Sequence, residues 1–341
     1  MVIKMEKLIV SSSPHFNGKK TTQNIMLDVI IALTPAMIAS VILFGFRAMV
    51  VILTCIASCV LSEYICRRVM KRSQTVGDLS CVVTGILLAL NLPVTINPLI
   101  SVFGGVIAIV VVKQMFGGIG QNFINPALAA RTILMLSWAG LIAATALPAG
   151  GQLFGLTTVP VDAVASATPL VSSSYSLWQL FIGDVPGMLG ETCKLTLILG
   201  GVYLIVRKVI DWRIPVFFIG TAFILFWIQT GVIYSVESGT ENALYQILSG
   251  GLLLGAFFMA TDYVTSPVSK WGKAIMGIGC AVILFVIRAY NNSYPEGCSF
   301  AILFMNVLTP LIDKWTMPRT FGAVKPAKAK KSEAKQGGAK A

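Results

Sequence analysis

Long apolar runs follow one another along this chain, separated by shorter polar segments. Most of the runs approach the roughly 20 residues that a helix needs to cross a hydrocarbon layer about 30 Å thick. Because backbone polar groups in lipid must find partners within the protein, each run is predicted to be a helix. The pattern therefore predicts ten transmembrane helices, over residues 26–45, 49–66, 80–92, 98–112, 122–147, 193–210, 214–234, 244–260, 272–290 and 298–314.

The two halves of this pattern resemble each other. The third run is short and ends in NLPVTINP, which predicts a broken or re-entrant helix. The segment Thr84–Pro98 is similar to Ser249–Pro267, since each is an apolar helix that stops at a polar turn ending in proline. Five runs precede the long loop, so a repeat in the second half is predicted to be inverted. Chance similarity between apolar runs is the alternative.

The fold class predicted from these patterns is an all-α integral membrane protein, with two inverted five-helix halves and broken helices. The predicted parts are a cytoplasmic N-terminal segment (1–25), a first transmembrane half (26–147), an extracytoplasmic loop (148–192), a second transmembrane half (193–316) and a disordered basic tail (317–341).

Composition and charge agree with a membrane location. Of the 341 residues, 56% are hydrophobic and only 12% are charged, whereas soluble proteins average about 25% charged. Lys and Arg concentrate in connections that fall on one side if every run crosses, while residues 132–193 contain neither. By the positive-inside rule, both termini are predicted to be cytoplasmic.

The formal charge of +12 does not indicate nucleic-acid binding, because six lysines lie in the low-complexity C-terminal tail. We interpret this tail as a solvated segment, with attraction to anionic lipid or a ribosomal surface as the alternative. The seven cysteines form no CxxC pair and are interpreted as packing residues, with a metal site shared with partner chains as the alternative. The single histidine, His15, excludes a His-rich metal site within this chain.

The long loop contains VDAVASATPLVSSSYS, with Thr168 among small residues. Pro169 disfavours helical dihedral angles at Thr168, so the backbone there is predicted to be extended and the hydroxyl to be presented to a modifying enzyme. By composition alone, an ordinary loop rich in serine, threonine and proline remains the alternative.

Polar residues inside or at the edge of the apolar runs are the second group of candidates, because charge in the bilayer is costly. Asp262 and Arg131 are candidates to contact a flavin, a quinone-like acceptor or a cation. The alternatives are that Asp262 lies at the cytoplasmic boundary and that Arg131 satisfies helix-end carbonyls. Asn122 and Asn125 are candidates to contact a cation or a flavin ring, or else to cap the fifth run. Two further acidic residues are interpreted as boundary residues, Asp28 and Glu63.

The segment Asp162–Leu170 resembles the flavinylation motif of the RnfD/NqrB family, the membrane subunits of ion-translocating electron transport complexes. Further segments similar to the family are SSSPH, GDLSCVVTGILLALNLP, GGIGQNFINPALAAR and FFMATDYVTSP. The resemblance implies FMN joined to Thr168 by a phosphoester bond, which a flavin transferase installs from FAD. It implies that Asp162, Ser166 and Ala167 form the recognition context.

The resemblance also implies a function and its partners. The chain would be a flavin-carrying subunit, in the bacterial cytoplasmic membrane, of a complex coupling electron transfer between ferredoxin and NAD to Na⁺ or H⁺ translocation. Its partners would be membrane and iron-sulfur subunits, especially a second flavinylated subunit, and an embedded riboflavin is a further implication. Two alternatives stay open: a secondary transporter or channel without a redox cofactor, and a scaffold.

Overall fold

The computed structural model describes residues 21–145, 148, 168–170, 175–233, 242–291 and 296–317. All the regular structure in these ranges is helical, which confirms the all-α prediction. The helices are α1 (Thr22–Phe44), α2 (Phe46–Val69), α3 (Ser80–Leu90), α4 (Pro98–Val106, continued by a π-helix to Gln114), α5 (Pro126–Ser137), α6 (Ala139–Ala143), α7 (Leu177–Ile182), α8 (Lys194–Val206), α9 (Arg213–Thr230), α10 (Ala243–Leu248), α11 (Leu252–Leu254, continued by a π-helix to Met259), α12 (Lys270–Tyr290) and α13 (Cys298–Thr316).

Four of these helices, α1, α2, α9 and α12, are long and apolar enough to cross a membrane by length and composition. Shorter apolar helices accompany them, among them α3, α5, α8 and the continuous stretch 98–114. The outer faces carry large exposed apolar side chains, for example Ile31, Ile38 and Ile42 on α1. Such faces suit a lipid environment, and the chain is a multi-pass membrane protein.

Two helix predictions needed correction, and the predicted long loop contains a short helix. The run predicted over 244–260 is interrupted between α10 and α11, where Gly250 has a φ of +65° that favours glycine. The run predicted over 122–147 begins only at Pro126, because Asn125 caps α5, and it is interrupted at Trp138. The loop predicted over 148–192 contains the short helix α7, which begins with a capping box at Ser176.

The break after α3 is present, as the sequence predicts. With 11 residues, α3 is about 16 Å long, roughly half of a hydrocarbon layer. The backbone groups freed by the break find protein partners: Gly190 N donates to Leu90 O at 2.7 Å and Leu189 N donates to Leu92 O at 3.1 Å. A Cβ at Gly190 would lie 2.5 Å from Leu90 Cβ, so this contact requires glycine. The segment before α8 therefore supports the end of α3.

Ion pairs join the connections at one end of the bundle, which we call the basic end. Arg207 pairs with Asp28 at 3.1 Å, and Lys273 pairs with Asp211 at 3.2 Å. Partial burial acts to raise the pKa of Asp211, but hydrogen bonds from Arg213 and Lys273 outweigh it and hold this pKa below its usual value. The connections at this end are thus linked by charge.

Hydrogen bonds to backbone carbonyls join the connections at the opposite end, which we call the Thr168 end. Arg47 donates to the carbonyl of Thr95 at 2.9 Å, and the Thr95 hydroxyl donates to the carbonyl of Ala144 at 2.5 Å. The Ser40 hydroxyl donates to the carbonyl of Leu189 at 2.5 Å. These contacts hold the broken segment after α3 against its neighbours.

One large apolar cluster connects both halves of the chain and reaches from α1 to α13. Close helix approach depends on small residues: a Cβ at Gly200 of α8 would lie 2.2 Å from Ala32 O of α1. Six of the seven cysteines are buried, and Cys193 is half-buried. In the described ranges, no three or more His, Cys, Asp or Glu side chains are grouped as metal ligands would be.

Candidate functional site

A cavity of about 360 Å³ lies at the basic end, between α1, α3, the start of α5 and the segment after α11. Its walls are mostly apolar, and a few polar side chains reach it. This volume and lining are typical of small-molecule sites, which are mostly apolar and span about 300–1,000 Å³. The polar residues at the cavity are Thr22, Ser80, Thr84, Lys113, Asn122, Asn125, Thr261, Asp262 and Tyr263.

Both candidate asparagines line this cavity. Asn125 caps α5, because its Oδ1 accepts from Ala127 N at 3.0 Å, and its Nδ2 donates to Met259 O at 3.3 Å. Asn125 therefore both caps α5 and lines the cavity. The Nδ2 of Asn122 donates to Ile124 O at 3.1 Å, which folds the turn that leads into α5.

Asp262 lies on the other side of the same cavity, after the π-helix that ends at Met259. Its Oδ2 accepts a hydrogen bond from Thr265 Oγ1 at 3.2 Å, and its backbone carbonyl accepts from Ser266 N at 3.1 Å. The carboxylate therefore has local support while it borders the cavity. The structure brings Asp262 together with the two asparagines, although 137 residues separate Asn125 from it along the chain.

A buried ion pair, which sequence reasoning missed, forms part of this wall. Lys113 Nζ lies 2.7 Å from Glu63 Oε2 and also donates to Ser80 Oγ at 2.7 Å. Thr75 Oγ1 donates to Glu63 Oε1 at 2.5 Å, and the Glu63 side chain is fully buried. Glu63 therefore belongs to a buried ion pair near the end of α2, and its interpretation as a boundary residue stays a prediction. Opposite charges at the same end of two apolar runs were the signal that could have indicated this pair.

Lys113 reaches this position from the π-helix that continues α4. Such turns are uncommon and often occur at functional sites. The next residue, Gln114, is completely buried, and neither its Oε1 nor its Nε2 has a partner in the described part of the chain. The π-helix therefore turns two polar side chains into the bundle at the cavity end.

Thr168 lies at the opposite end of the bundle. Of the chain segment directly around it, only residues 168–170 are described. Thr168 is half-buried and Pro169 is buried. The hydroxyl of Tyr245, a fully buried residue of α10, donates to Pro169 O at 3.1 Å. A Cβ added to Gly250 would lie 3.0 Å from Leu170 Cδ1. The two residues after Thr168 are thus held against α10 and the break that follows it.

The other predicted residues of the loop motif, Asp162, Ser166 and Ala167, lie outside the described residues.

Arg131 does not line the large cavity. It is buried and bonds with two carboxylates, Glu191 at 3.3 Å and Glu296 at closer range, while its Nη1 donates to Ser299 Oγ at 2.6 Å. Arg131 therefore joins α5, the segment before α8 and the start of α13 near Thr168. The interpretation that it satisfies helix-end carbonyls was wrong, since its described partners are side chains. No local sequence signal pairs it with acidic residues 60 and 165 positions away.

Two more cations lie at the Thr168 end, Lys194, which is buried, and Arg288, which is partly buried. Lys194 Nζ donates to the carbonyls of Glu191 and Gly250, the latter at 2.9 Å. Arg288 donates to the carbonyl of Gln246 in α10 and to that of Ser249, directly after α10, at 3.0 Å. The Thr168 end is therefore densely charged although little of it is exposed.

A small void of about 20 Å³ lies among these groups and Thr168. The polar residues and glycines that border it, besides Thr168, are Gly187, Glu191, Thr192, Lys194, Gly250 and Glu296. The attachment candidate therefore faces the charged cluster directly.

Comparison with known proteins decides the family. Residues 9–322 match the model of the NQR2, RnfD, RnfE family. The chain belongs to that family. Among its relatives, the D subunit of the Na⁺-translocating ferredoxin:NAD⁺ oxidoreductase complex of Acetobacterium woodii is 44% identical over 335 residues, covering 95% of this chain and 98% of the relative.

Two further members of the family show the range of similarity. The D subunit of the proton-translocating ferredoxin:NAD⁺ oxidoreductase complex of Clostridium ljungdahlii is 39% identical, covering 94% of this chain and 98% of the relative. The D subunit of the ion-translocating oxidoreductase complex of Escherichia coli is 31% identical, covering 92% and 98%. The resemblance inferred from the sequence segments is thereby confirmed.

Proposed function

We propose that this chain is the flavin-carrying membrane subunit of a complex that couples electron transfer between ferredoxin and NAD to translocation of Na⁺ or H⁺. Its full-length similarity to the D subunits of two ferredoxin:NAD⁺ oxidoreductase complexes supports this function. The chain is thus a subunit of an ion-translocating oxidoreductase. One of these relatives is named for Na⁺ and the other for protons, so the proposal includes both ions.

The proposed topology has ten spans in two inverted halves, with both termini on the cytoplasmic side of the bacterial cytoplasmic membrane. Support comes from the distribution of charge between the two ends of the bundle. The basic end carries Arg67–Arg72, Arg207–Arg213 and Lys270–Lys273, whereas the described cations at the Thr168 end are buried or partly buried. The positive-inside rule then puts Thr168 on the extracytoplasmic side.

Thr168 is the proposed attachment residue for FMN, in line with the family motif that it resembles. The observation that carries the proposal is that the chain holds Pro169 and Leu170 firmly while Thr168 stays half-exposed beside a void. Attachment joins Thr168 Oγ1 to the phosphorus of FMN, breaks the pyrophosphate bond of FAD, and releases AMP and the hydroxyl proton. A flavin transferase is the proposed catalyst of this step.

The described surroundings of Thr168 fit the phosphate end of FMN and not its ring. A void of about 20 Å³ accepts a single oxygen-sized group, whereas an isoalloxazine ring is far larger. When bound, FMN supplies a carrier that takes up and releases electrons. The protein residues hold its point of attachment: Tyr245 fixes the Pro169 carbonyl, and Leu170 packs at Gly250. Asp162, Ser166 and Ala167 remain the proposed recognition context for the transferase.

The cavity at the basic end is the proposed site of a second, non-covalent flavin, with riboflavin as the form that the family resemblance implies. Its volume of about 360 Å³ and its apolar walls suit a flat aromatic ring system. The amides of Asn122 and Asn125 and the Asp262 carboxylate suit the polar edge of such a ring, and Lys113 supplies a nearby positive charge. The two proposed flavin positions would then lie at opposite ends of the chain.

The proposed partners follow from the complexes named for the relatives. They are the other membrane and iron-sulfur subunits, especially a second flavinylated subunit next to Thr168, together with the flavin transferase and membrane lipid. The Thr168 end offers a half-exposed attachment residue at a position where an extracytoplasmic carrier could approach.

In-gel fluorescence tests the attachment. The chain would be purified from cells with the flavin transferase, denatured, and examined under ultraviolet light after electrophoresis. We expect a fluorescent band for wild type and for Thr158→Ala, a control in the same loop, and a dark band for Thr168→Ala. Dark wild-type protein from cells with an active transferase would contradict the proposal and favour a carrier without a redox cofactor.

A second experiment tests the cavity. Ile119→Trp would place a large ring in the cavity, whereas Val111→Trp changes an exposed apolar position of the π-helix. In a Thr168→Ala background, we expect acid-extractable flavin to stay near one per chain in the Val111 variant and to fall at least fivefold in the Ile119 variant. Equal flavin content in both would contradict this site.

A further inference from the structure

Within the described part of the chain, two cations at the Thr168 end have no carboxylate partner. Lys194 and Arg288 donate hydrogen bonds to backbone carbonyls there, and neither forms an ion pair. Arg288 also lies over the Phe226 ring, with its Cζ 5.8 Å from the ring centroid. A charge held away from water without a counter-ion is costly. Arg131, in contrast, bonds with both nearby carboxylates, those of Glu191 and Glu296. Among the described side chains of this cluster, three cations therefore stand against two carboxylates, which leaves one positive charge.

An unpartnered donor lies at the same place. The hydroxyl of Thr192 borders the void beside Thr168, is 1% exposed, and has no hydrogen-bond partner in the described residues. Arg288 Nε, behind Gly250, is also buried without a partner there. Unsatisfied buried donors are rare in folded proteins and often mark a missing ligand or water. The void of about 20 Å³ is large enough for one oxygen atom between these groups.

The start of α8 adds a third feature of an anion site. α8 has 13 residues and begins at Lys194, directly after Thr192 and Cys193, and no side chain caps its first turn. The free N–H groups and the positive dipole at such a helix end favour an anion. Thr192 and Lys194, the first residue of α8, thus both border the void that Thr168 also borders.

We propose that Thr192, Lys194 and the N-terminus of α8 form a seat for the phosphoryl group of a phosphoester on Thr168, with Arg288 as a second counter-cation. This proposal rests on the proposed attachment of FMN to Thr168. A phosphodiester carries one negative charge, as each linkage of a nucleic-acid backbone does. One such group neutralises the excess charge of the cluster. One phosphoryl oxygen fills the void and accepts from Thr192 and Lys194.

If this seat binds the phosphoryl group, removing a cation from it should lower the thermal stability of the flavinylated protein more than that of the unmodified protein. The test uses the purified complex, with Lys194→Met and Thr192→Val made in the wild-type background and in a Thr168→Val background that cannot be modified. Lys273→Met removes a partly exposed lysine at the basic end and is the matched control. The thermal midpoint of this chain is measured in each case, and peptide mass spectrometry gives the flavinylated fraction.

We expect Lys194→Met to lower the midpoint by roughly 2–4 °C more in the flavinylated background than in the Thr168→Val background. Thr192→Val, which is nearly isosteric, should show the same sign with a smaller difference, so the test does not depend on one variant folding. Lys273→Met should shift the thermal midpoint by the same amount in both backgrounds. The ³¹P resonance of the phosphoester should also move in Lys194→Met and stay in place in Lys273→Met.

Two results would overturn the seat, and they are distinguishable. In the first, Thr168 is flavinylated, and Lys194→Met and Thr192→Val lower the thermal midpoint equally in both backgrounds. These residues then only cap carbonyls and fill space, and the attachment of FMN stands. If wild-type Thr168 is unmodified in cells with an active transferase, the proposed function fails and the seat fails with it.

Discussion

The buried pair Glu63–Lys113 allows a quantitative prediction about the wall of the cavity. The two charged atoms are 2.7 Å apart, and the side chains are 0% and 4% exposed. Removing one partner leaves the other charge buried without compensation, which typically costs about 3–5 kcal/mol. We therefore expect Glu63→Gln and Lys113→Met each to lower the free energy of unfolding by about that amount.

The double variant should be much milder than the sum of the single variants. With both charges gone, the main loss is the hydrogen bonds from Thr75 and to Ser80, at about 1 kcal/mol each. A double-mutant cycle should thus give a coupling energy of at least about 3 kcal/mol. The assay is unfolding by SDS titration in a mild detergent, with near-ultraviolet circular dichroism as the probe of tertiary structure.

A matched pair provides the control. Asp211 and Lys273 lie 3.2 Å apart with side chains 20% and 24% exposed, so the same cycle should give about 0–1 kcal/mol. If the Glu63–Lys113 cycle gave a coupling no larger than this control, or if the single effects simply added, the pair would not be buried and coupled as described. The interpretation of the cavity wall would then have to be abandoned.

Three further predictions concern single positions. Gly190→Ala should destabilise the chain, because the added Cβ would lie 2.5 Å from the Leu90 side chain. Gly220→Ala should not, because nothing lies within 4 Å of a Cβ at that position. The thermal midpoints of the two variants test this difference. Asn125→Ala removes the α5 cap and should cost about 0.5–2 kcal/mol in the same titration, with loss of non-covalent flavin. The lowered pKa of Asp211 means that its ion pairs contribute fully to stability above the ordinary value of 3.8. The stability difference between wild type and Asp211→Asn should shrink as the pH falls below 3.8 and vanish once the pH is below the lowered pKa of the folded state.

The helices could be predicted from the sequence because lipid imposes simple rules. A stretch of about 20 mostly apolar residues with few charges has few alternatives to a helix, and α1, α2 and α12 start and end within a few residues of their predictions. The break after α3 was also predictable, since NLPVTINP contains two prolines and two asparagines. These signals are local in the chain.

The helix interruptions that sequence reasoning missed depend on contacts between distant segments. The chain turns at Gly250, where Lys194, Leu170 and Arg288 all approach the backbone. These contacts come from distant parts of the chain, so the apolar sequence around Gly250 does not predict them. The short helix α7 is similar, because Leu180 is buried in one cluster with Tyr245 of α10.

The candidate site was predictable in its residue types and only partly in its arrangement. Asn122, Asn125 and Asp262 were singled out as polar groups in apolar surroundings, and they do border one cavity. Thr168 and Arg131 were separate candidates, and the structure brings both to one charged cluster through two carboxylates, Glu191 and Glu296. Which carboxylates pair with a given cation depends on the three-dimensional fold. A single sequence therefore identifies the charged residues but not the ion pairs that they form.

Mass spectrometry of the peptide that contains Thr168, prepared from native membranes, is the most direct test of the proposed function. We predict a mass increase equal to one FMN joined with loss of water, and fragment ions that assign it to Thr168 and not to the neighbouring serines. The same peptide from cells without the transferase should have the unmodified mass. Finding only unmodified Thr168 in native membranes with an active transferase would contradict the account.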